Sequence, residues 1–193
     1  MKKLLLLVLI GLISINTYSI ERDKDGTTLK EGDIVFQMSK SKQSPLIQLA
    51  TFSPWSHCGI IIYKNEKPYV LEASNVVKLT PLNIWLQKGR GNIWKQVRVL
   101  KNCPKISYKK YLGQHYDLAF KFNNNKMYCS ELVYIIYKEQ FGIELCKLRK
   151  ISSYHFTYFL KKMMEKRNMN VNQYVVAPSD LLTYKDFESI YNL

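Results

Sequence analysis

Residues 57–74 read HCGIIIYKNEKPYVLEAS. Two apolar stretches, the first rich in β-branched residues, flank the turn-forming NEKP, and this layout allows little except an antiparallel β-hairpin. A two-residue loop centred on Asn65–Glu66 pairs residues whose numbers sum to 131. His57 then faces Ser74 and stands diagonal to Glu72 on one face of the hairpin, about 7–8 Å away by backbone. An even sum would place the two on opposite faces. Glu72 is the one charged residue in the otherwise apolar YVLEA, which invites a role for it.

The remaining chain is read around that hairpin. LKEGDIVFQ predicts a turn and a strand near Ile34–Gln37, with Asp33 as a turn former. SPLIQLAT predicts a short helix with Ser44 as N-cap and Pro45 at its first position. VVKLT adds a strand. PLNIWLQKG predicts a helix running from Pro81 to Gly89, and NIWKQVRVL a further strand. KISYKKYLGQHY reads as helical up to Leu112. From Cys129 the apolar residues Leu132, Val133, Ile135, Ile136 and Phe141 face all sides, so this helix is buried and ends at Gly142. SYHFTYFLKKMMEKRN gives one more helix, containing His155, and APSDLL a last short one. Strands come mostly first and helices mostly after, which predicts an α+β domain with a small antiparallel sheet packed against helices.

The first residues, MKKLLLLVLIGLISINTYS, place two lysines before twelve mostly apolar residues, Leu4–Ile15. This is the layout of a secretory leader, and the run is shorter than the ~20 residues that span a bilayer. Residues 1–19 are therefore read as a cleaved signal peptide and 20–193 as one domain, beginning with a polar lead-in over 20–28 and acting outside the cytoplasm, in the periplasm or secreted.

The formal charge is +14 over the full chain, and +12 without Lys2 and Lys3. Such a basic protein suits an anionic partner. The lysines are scattered and no stacking-aromatic motif accompanies them, so nucleic acid is not expected; the anionic envelope surface is. The cysteines Cys58, Cys103, Cys129 and Cys146 form no CxxC pair, which speaks against a zinc knuckle or thioredoxin-type site. No metal or organic cofactor is implied.

A thiol works as a nucleophile only as thiolate, favoured by a helix N-terminus and a cationic neighbour. Cys129 stands at a helix start, and the imidazole must come from His57, His115 or His155. His57 opens a strand beside the loop FSPWS, where a side chain is both anchored and accessible. Glu72 is placed to orient it, completing a Cys–His–acid set. Tyr128 and His115 are further pocket candidates, and the Cys129 backbone N–H a donor to an oxyanion. Glu131 suits the first helical turn without a catalytic role.

LKEGDIVFQ, SHCGIII, YVLEAS, YLGQHYDLAF and YCSELVYIIY together resemble, in order and spacing over roughly residues 29–182, the YiiX/YebB-like group of circularly permuted, NlpC-type, papain-like cysteine hydrolases. The resemblance implies a papain-like fold whose histidine strand precedes the nucleophile helix, with Cys129 as nucleophile, His57 as base and Glu72 as orienting residue. Two positions depart from the pattern. Cys58 replaces an aliphatic residue and is read as a small hydrophobe pointing into the core; His115 replaces a proline. The kinship implies an amide or acyl bond, cleaved through an acyl-enzyme, in cell-wall peptides or lipid-like acyl substrates. The other class of function is a non-catalytic protein that holds an acyl chain or amino acid in the same pocket.

Overall fold

The structure is a computed structural model that describes residues 29–122, 124–155, 158–186 and 189–192. The expected signal peptide and lead-in lie outside the described residues.

The hairpin forms as its sequence predicts. Strand β2 (His57–Lys64) pairs with β3 (Lys67–Ala73) in the register Ile60↔Leu71, Ile61↔Val70, the expected pairing. Asn65 and Glu66 both adopt positive φ, 50° and 59°, as a two-residue turn of matching twist requires. Strand β1 (Ile34–Ser39) lies on the other side of β2, β4 (Val77–Pro81) continues beyond β3, and β5 (Gly89–Arg98) flanks β1. Three two-residue strands follow, β6 (His115–Tyr116), β7 (Lys126–Met127) and β8 (Arg149–Lys150), with β9 (Tyr174–Val175) pairing to β8. The last, β10 (Ser189–Asn192), returns to pair with β5. The main sheet therefore has six antiparallel strands in the order β10-β5-β1-β2-β3-β4.

Both faces of this sheet are covered, which explains why the middle of β2 is a continuous apolar run and not an alternation. Helix α1 (Ser44–Thr51) lies between β1 and β2 in sequence, and α2 (Leu82–Gln87) between β4 and β5. The long helix is α3 (Cys129–Phe141), followed by α4 (Tyr158–Lys166) and α5 (Pro178–Leu181). Phe36, Cys58, Ile60, Ile62 and Leu71 pack against Cys129, Leu132, Val133, Ile136 and Tyr137 of α3. On the opposite face Val35, Ile61, Val70 and Trp94 pack against Leu82, Trp85 and Leu86 of α2. Gly142 ends α3 at φ 68°, the left-handed cap that its sequence predicts.

Several local expectations are corrected. Gln43, not Ser44, precedes α1; the Ser44 hydroxyl is turned inward, 2.6 Å from that of Ser56. Pro81 caps α2 from outside, and Gly89 already belongs to β5. The stretch read as helical up to Leu112 holds only a 3₁₀ turn, Lys109–Tyr111. Its backbone is used instead on β4: the Gly113 N–H donates to the Val77 carbonyl (2.9 Å) and the Val77 N–H to that of Gln114 (2.9 Å). His155 precedes α4, and a second 3₁₀ turn, Ile151–Ser153, lies before it.

Asp33 is more than a turn former. Its carboxylate accepts the Lys30 N–H (2.7 Å) as a turn residue would. It is also buried, paired with Arg98 through Nε (2.8 Å) and Nη2 (2.8 Å), and bonded by Gln96 Nε2 (2.6 Å). A two-pronged guanidinium contact is the arrangement that compensates a buried carboxylate. It clamps the start of β1 to the end of β5.

Candidate active site

His57 is the first residue of β2, and the residue before it is tied down. The Ser56 hydroxyl meets Ser44 of α1 and accepts the Ser39 N–H of β1 (3.0 Å). Across the hairpin, His57 Nε2 lies 2.6 Å from Glu72 Oε2. Gly59 allows this closeness: a Cβ there would stand 2.4 Å from Val70 Cγ1 and 2.7 Å from the Leu71 carbonyl oxygen. The second oxygen of Glu72 accepts bonds from Thr80 Oγ1 (2.5 Å) and Lys88 Nζ (3.0 Å). Trp85 lies beyond the imidazole, ring centroids 6.2 Å apart.

Burial alone would raise the Glu72 pKa, but the hydrogen bonds from His57, Thr80 and Lys88 outweigh it and hold the carboxyl at about 2. Burial alone would likewise lower that of His57. Its hydrogen bonds and charge interactions with Cys129 and Glu72 outweigh that and raise it from 6.5 to about 10. With Nε2 engaged by Glu72, it is Nδ1 that serves the thiol.

Cys129 is the first residue of α3 and is almost fully buried. Its pKa lies well below the ordinary 9.0. The Cys58 thiol, hydrogen-bonded to it, is the largest cause; burial opposes, and the His57 hydrogen bond and charge and the Cys58 backbone N–H add to the lowering. The Cys58 thiol correspondingly stays protonated, pushed up by burial and by the neighbouring sulfur. The Tyr116 phenol also bonds Cys129, and its pKa is raised by burial first and by the two sulfurs next. The favoured state is thus a buried thiolate–imidazolium pair, with a carboxylate behind the imidazolium and two neutral donors beside the sulfur.

A cavity opens on the other side of Cys129, with about 650 Å³ of empty space, part of it continuous with solvent. Cys129 and Ser130 form part of its wall, with Leu46, Ile47 and Ala50 of α1, Leu160 and Met164 of α4, and the segment Val175–Pro178. The lining is almost wholly apolar.

Residues 28–191 match the model of the permuted papain-like amidase enzymes, the YaeF/YiiX or C92 family. This chain belongs to that family. It is 35% identical over 158 residues to the protein YiiX of Escherichia coli K12, an alignment spanning 76% of this chain and 78% of the relative. It is also similar to the crystal structure of the metalloprotein YiiX of Escherichia coli O157:H7, at a TM-score of 0.76 and 32% identity, over 84% of this chain and 96% of that one. The papain-like kinship inferred from its motifs is correct, and so are the α+β class and the cysteine hydrolase assignment.

In this C92 amidase Cys129, His57 and Glu72 come together as their sequence positions suggested; the other pocket candidates do not join them. Tyr128 is buried as the residue before α3, where its hydroxyl accepts the Val176 N–H (3.2 Å) and its ring packs edge-on against Phe120 and Phe122. His115 is exposed on β6, and the residue that reaches the thiol is its neighbour Tyr116, which points the opposite way along a strand. Glu131 is buried and accepts the Tyr128 N–H (3.2 Å), a helix-start role as expected. His155 is exposed against Phe52.

Four contributors went unread in the sequence: Cys58, Thr80, Lys88 and Tyr116. Thr80 carried a usable signal. Glu72 pairs with Lys78, so Thr80 two residues on is diagonal to it on the same face. Lys88 sits in the helix end where a cation suits the dipole, and nothing there marks its reach. Among the described residues no group of three or more His, Cys, Asp or Glu side chains is arranged to hold a metal ion.

Proposed function

We propose that this amidase hydrolyses the amide or ester bond of a long-chain acyl group, with Cys129 as nucleophile, His57 as proton carrier and Glu72 as the residue that holds the imidazolium. The Cys129 thiolate attacks the acyl carbonyl carbon, and the carbonyl electrons move to its oxygen beside the positive end of α3, where the Cys129 N–H serves as donor. The oxyanion collapses, the C–N or C–O bond breaks, and the His57 imidazolium passes its proton to the leaving amine or alcohol. A thioester remains. Water, deprotonated by neutral His57, attacks it and releases the carboxylic acid, restoring the pair.

The observation that carries the acyl reading is the cavity against Cys129, lined by Leu46, Ile47, Leu160 and Met164. A muropeptide carries charged and amide groups that would lose water on entering such walls without partners, whereas a hydrocarbon chain gains by entry. An exported setting fits this substrate. The leader-like residues 1–19 would deliver the enzyme to the envelope, and no helix among the described residues is long and apolar enough to cross a membrane. The similar YiiX is called a metalloprotein. Among the described residues of this chain no group of His, Cys, Asp or Glu side chains is arranged to hold a metal ion, and no step here runs through one.

The test is turnover of N-acyl amino acid amides of increasing chain length, beside muropeptides, by the chain from residue 20 onward. kcat/KM should rise about fourfold per added methylene, at ~0.8 kcal/mol each, until the cavity is full. Cys129→Ala should abolish it. A flat chain-length profile with muropeptide cleavage would favour the peptide reading. Acyl binding with no turnover and an inert Cys129 would favour a pure binding protein.

A further inference from the structure

The cavity wall includes Ala50 and Thr51 at the end of α1 and Leu160 in the first turn of α4. Three features beside these residues, at the rim, are not explained by burial. Phe52 follows α1 with φ 48° and leaves its ring 73% exposed. A bulky side chain in the left-handed region is strained, and this strain holds an aromatic ring out in water. The His155 ring packs against it, centroids 4.3 Å apart, and the His155 N–H donates to the Ala50 carbonyl (2.9 Å), so the two rim segments are joined. Tyr158, at the first position of α4, is 84% exposed.

Helix α4 is two-sided. Leu160 and Met164 line the cavity, while Tyr158, Lys161, Lys162 and Lys166 face solvent at helix spacings of three and four. None of these three lysines enters an ion pair among the described residues, and Glu165 is the only acid in the helix. Exposed aromatic rings beside unpaired lysines match the two layers of an anionic lipid surface. Rings settle at the headgroup boundary, and ammonium groups meet the phosphates.

We propose that the rim formed by Phe52, His155, Tyr158, Lys161 and Lys162 docks this protein on the surface of an anionic phospholipid bilayer, with the mouth of the Cys129 cavity turned toward it. This rests on the acyl reading of the cavity, because docking there places the mouth where acyl chains are found. The net charge, +14 over the full chain and +12 without Lys2 and Lys3, gives the same preference over longer range.

The experiment is vesicle flotation of the chain from residue 20 onward, which contains the whole matched domain, with phosphatidylcholine vesicles and with vesicles containing phosphatidylglycerol. Binding is expected on the anionic vesicles and to weaken with salt. Lys161→Gln/Lys162→Gln should weaken it about thirtyfold, at ~1 kcal/mol per basic residue. Phe52→Ser/Tyr158→Ser should weaken it as well, and neither double variant should change Cys129 alkylation by iodoacetamide. Absence of binding, or binding that neither double variant affects, would overturn the proposal. So would a loss with the lysine pair alone and none with the aromatic pair, which would identify a soluble or wall polyanion in place of a bilayer. Cys129→Ala separates this proposal from the hydrolase reading. It should float as the wild type does, so docking without turnover would remove only the enzyme, and turnover without docking only the surface.

Discussion

Glu72→Gln is the sharpest probe of the site. The substitution keeps the size of the side chain and an oxygen for Thr80 and Lys88, and removes the negative charge 2.6 Å from His57 Nε2. His57 titrates at about 10 because Cys129 and, second to it, Glu72 stabilise its charged form against burial. An opposite charge at this range is worth about 1–3 pKa units, or ~1.4–4 kcal/mol. The His57 titration should therefore fall from about 10 to about 7–9. Iodoacetamide alkylation of Cys129 should show the same loss at its high-pH step, loss of the imidazolium proton, which moves down; the low-pH step, loss of the thiol proton, has the imidazolium on both sides and should not move up. The assay is the His57 ring carbon shift against pH, with alkylation rates measured in parallel. If the Glu72→Gln titration superimposes on that of the wild type while the fold is intact, Glu72 does not hold the imidazolium and the reasoning fails.

Three further outcomes follow from the same geometry. Cys58→Val keeps the core position filled, at a cost below about 1.5 kcal/mol, and deletes the thiol donor to Cys129; the low-pH alkylation step should move up toward the ordinary thiol range while the His57 step stays, and an unmoved low-pH step would show that the Cys58 thiol has no such part. Asp33→Ala leaves Arg98 buried without its carboxylate and should cost about 3–5 kcal/mol in denaturant unfolding, whereas a loss below ~1 kcal/mol would mean that the clamp is not needed. Thermal stability should rise with pH up to 6.5, stay level to 9.0 and fall through about 10, as follows from the shifts of His57 and Cys129.

Glu72, lowered from 4.5 to about 2, adds stability that is full above 4.5 and lost as the pH falls to about 2. Below 6.5 the unfolded chain holds protons on both His57 and Cys129 while the folded pair holds one, so stability grows with pH. Between 6.5 and 9.0 both states hold one proton and the curve is flat; above 9.0 only the folded state keeps it, until about 10. In Cys129→Ala the fall between 9.0 and about 10 should disappear, since no thiol is left to lose its proton in the unfolded chain and His57 loses its largest stabilising partner. A scan of melting temperature against pH in both proteins reads the difference directly, and coincident curves would deny the pair.

What the sequence made legible was local in origin. The hairpin, its turn and the parity that joins His57 to Glu72 are consequences of a period-two strand and a two-residue loop. The start of α3 at Cys129 and its end at Gly142 are equally local. What stayed hidden depends on contacts distant in sequence. The segment before Gly113 has helical composition, but β4 takes the backbone of Gly113 and Gln114 onto its edge, and the tertiary pairing prevails over propensity. The sequence does not separate Tyr116 from His115 as a pocket residue, because a strand of two residues carries no alternation from which to choose a face. Cys58 reads as a core residue and is one, and only the arrival of α3 on that face makes it a donor to the thiolate. The register of β10 on β5, with some ninety residues between them in the chain, left no trace in either segment alone.

One register thus serves both folding and chemistry. A slip of one residue between β2 and β3 would turn Glu72 to the face packed by α3, among Leu132, Val133 and Ile136, away from Thr80 and Lys88. The cost of that misplaced charge far exceeds what a slipped hairpin regains. The sheet is held to the pairing that brings Glu72 to His57, because on that face Thr80 and Lys88 stand ready to bond it. Gly59 contributes from the other strand by leaving room for Val70 and the Leu71 carbonyl. The carboxylate that orients the imidazole is therefore also a residue that specifies the fold. Substitutions of Glu72 should accordingly show their effect in strand pairing as well as in the reactivity of Cys129, with Gln preserving the former and Ala disturbing both.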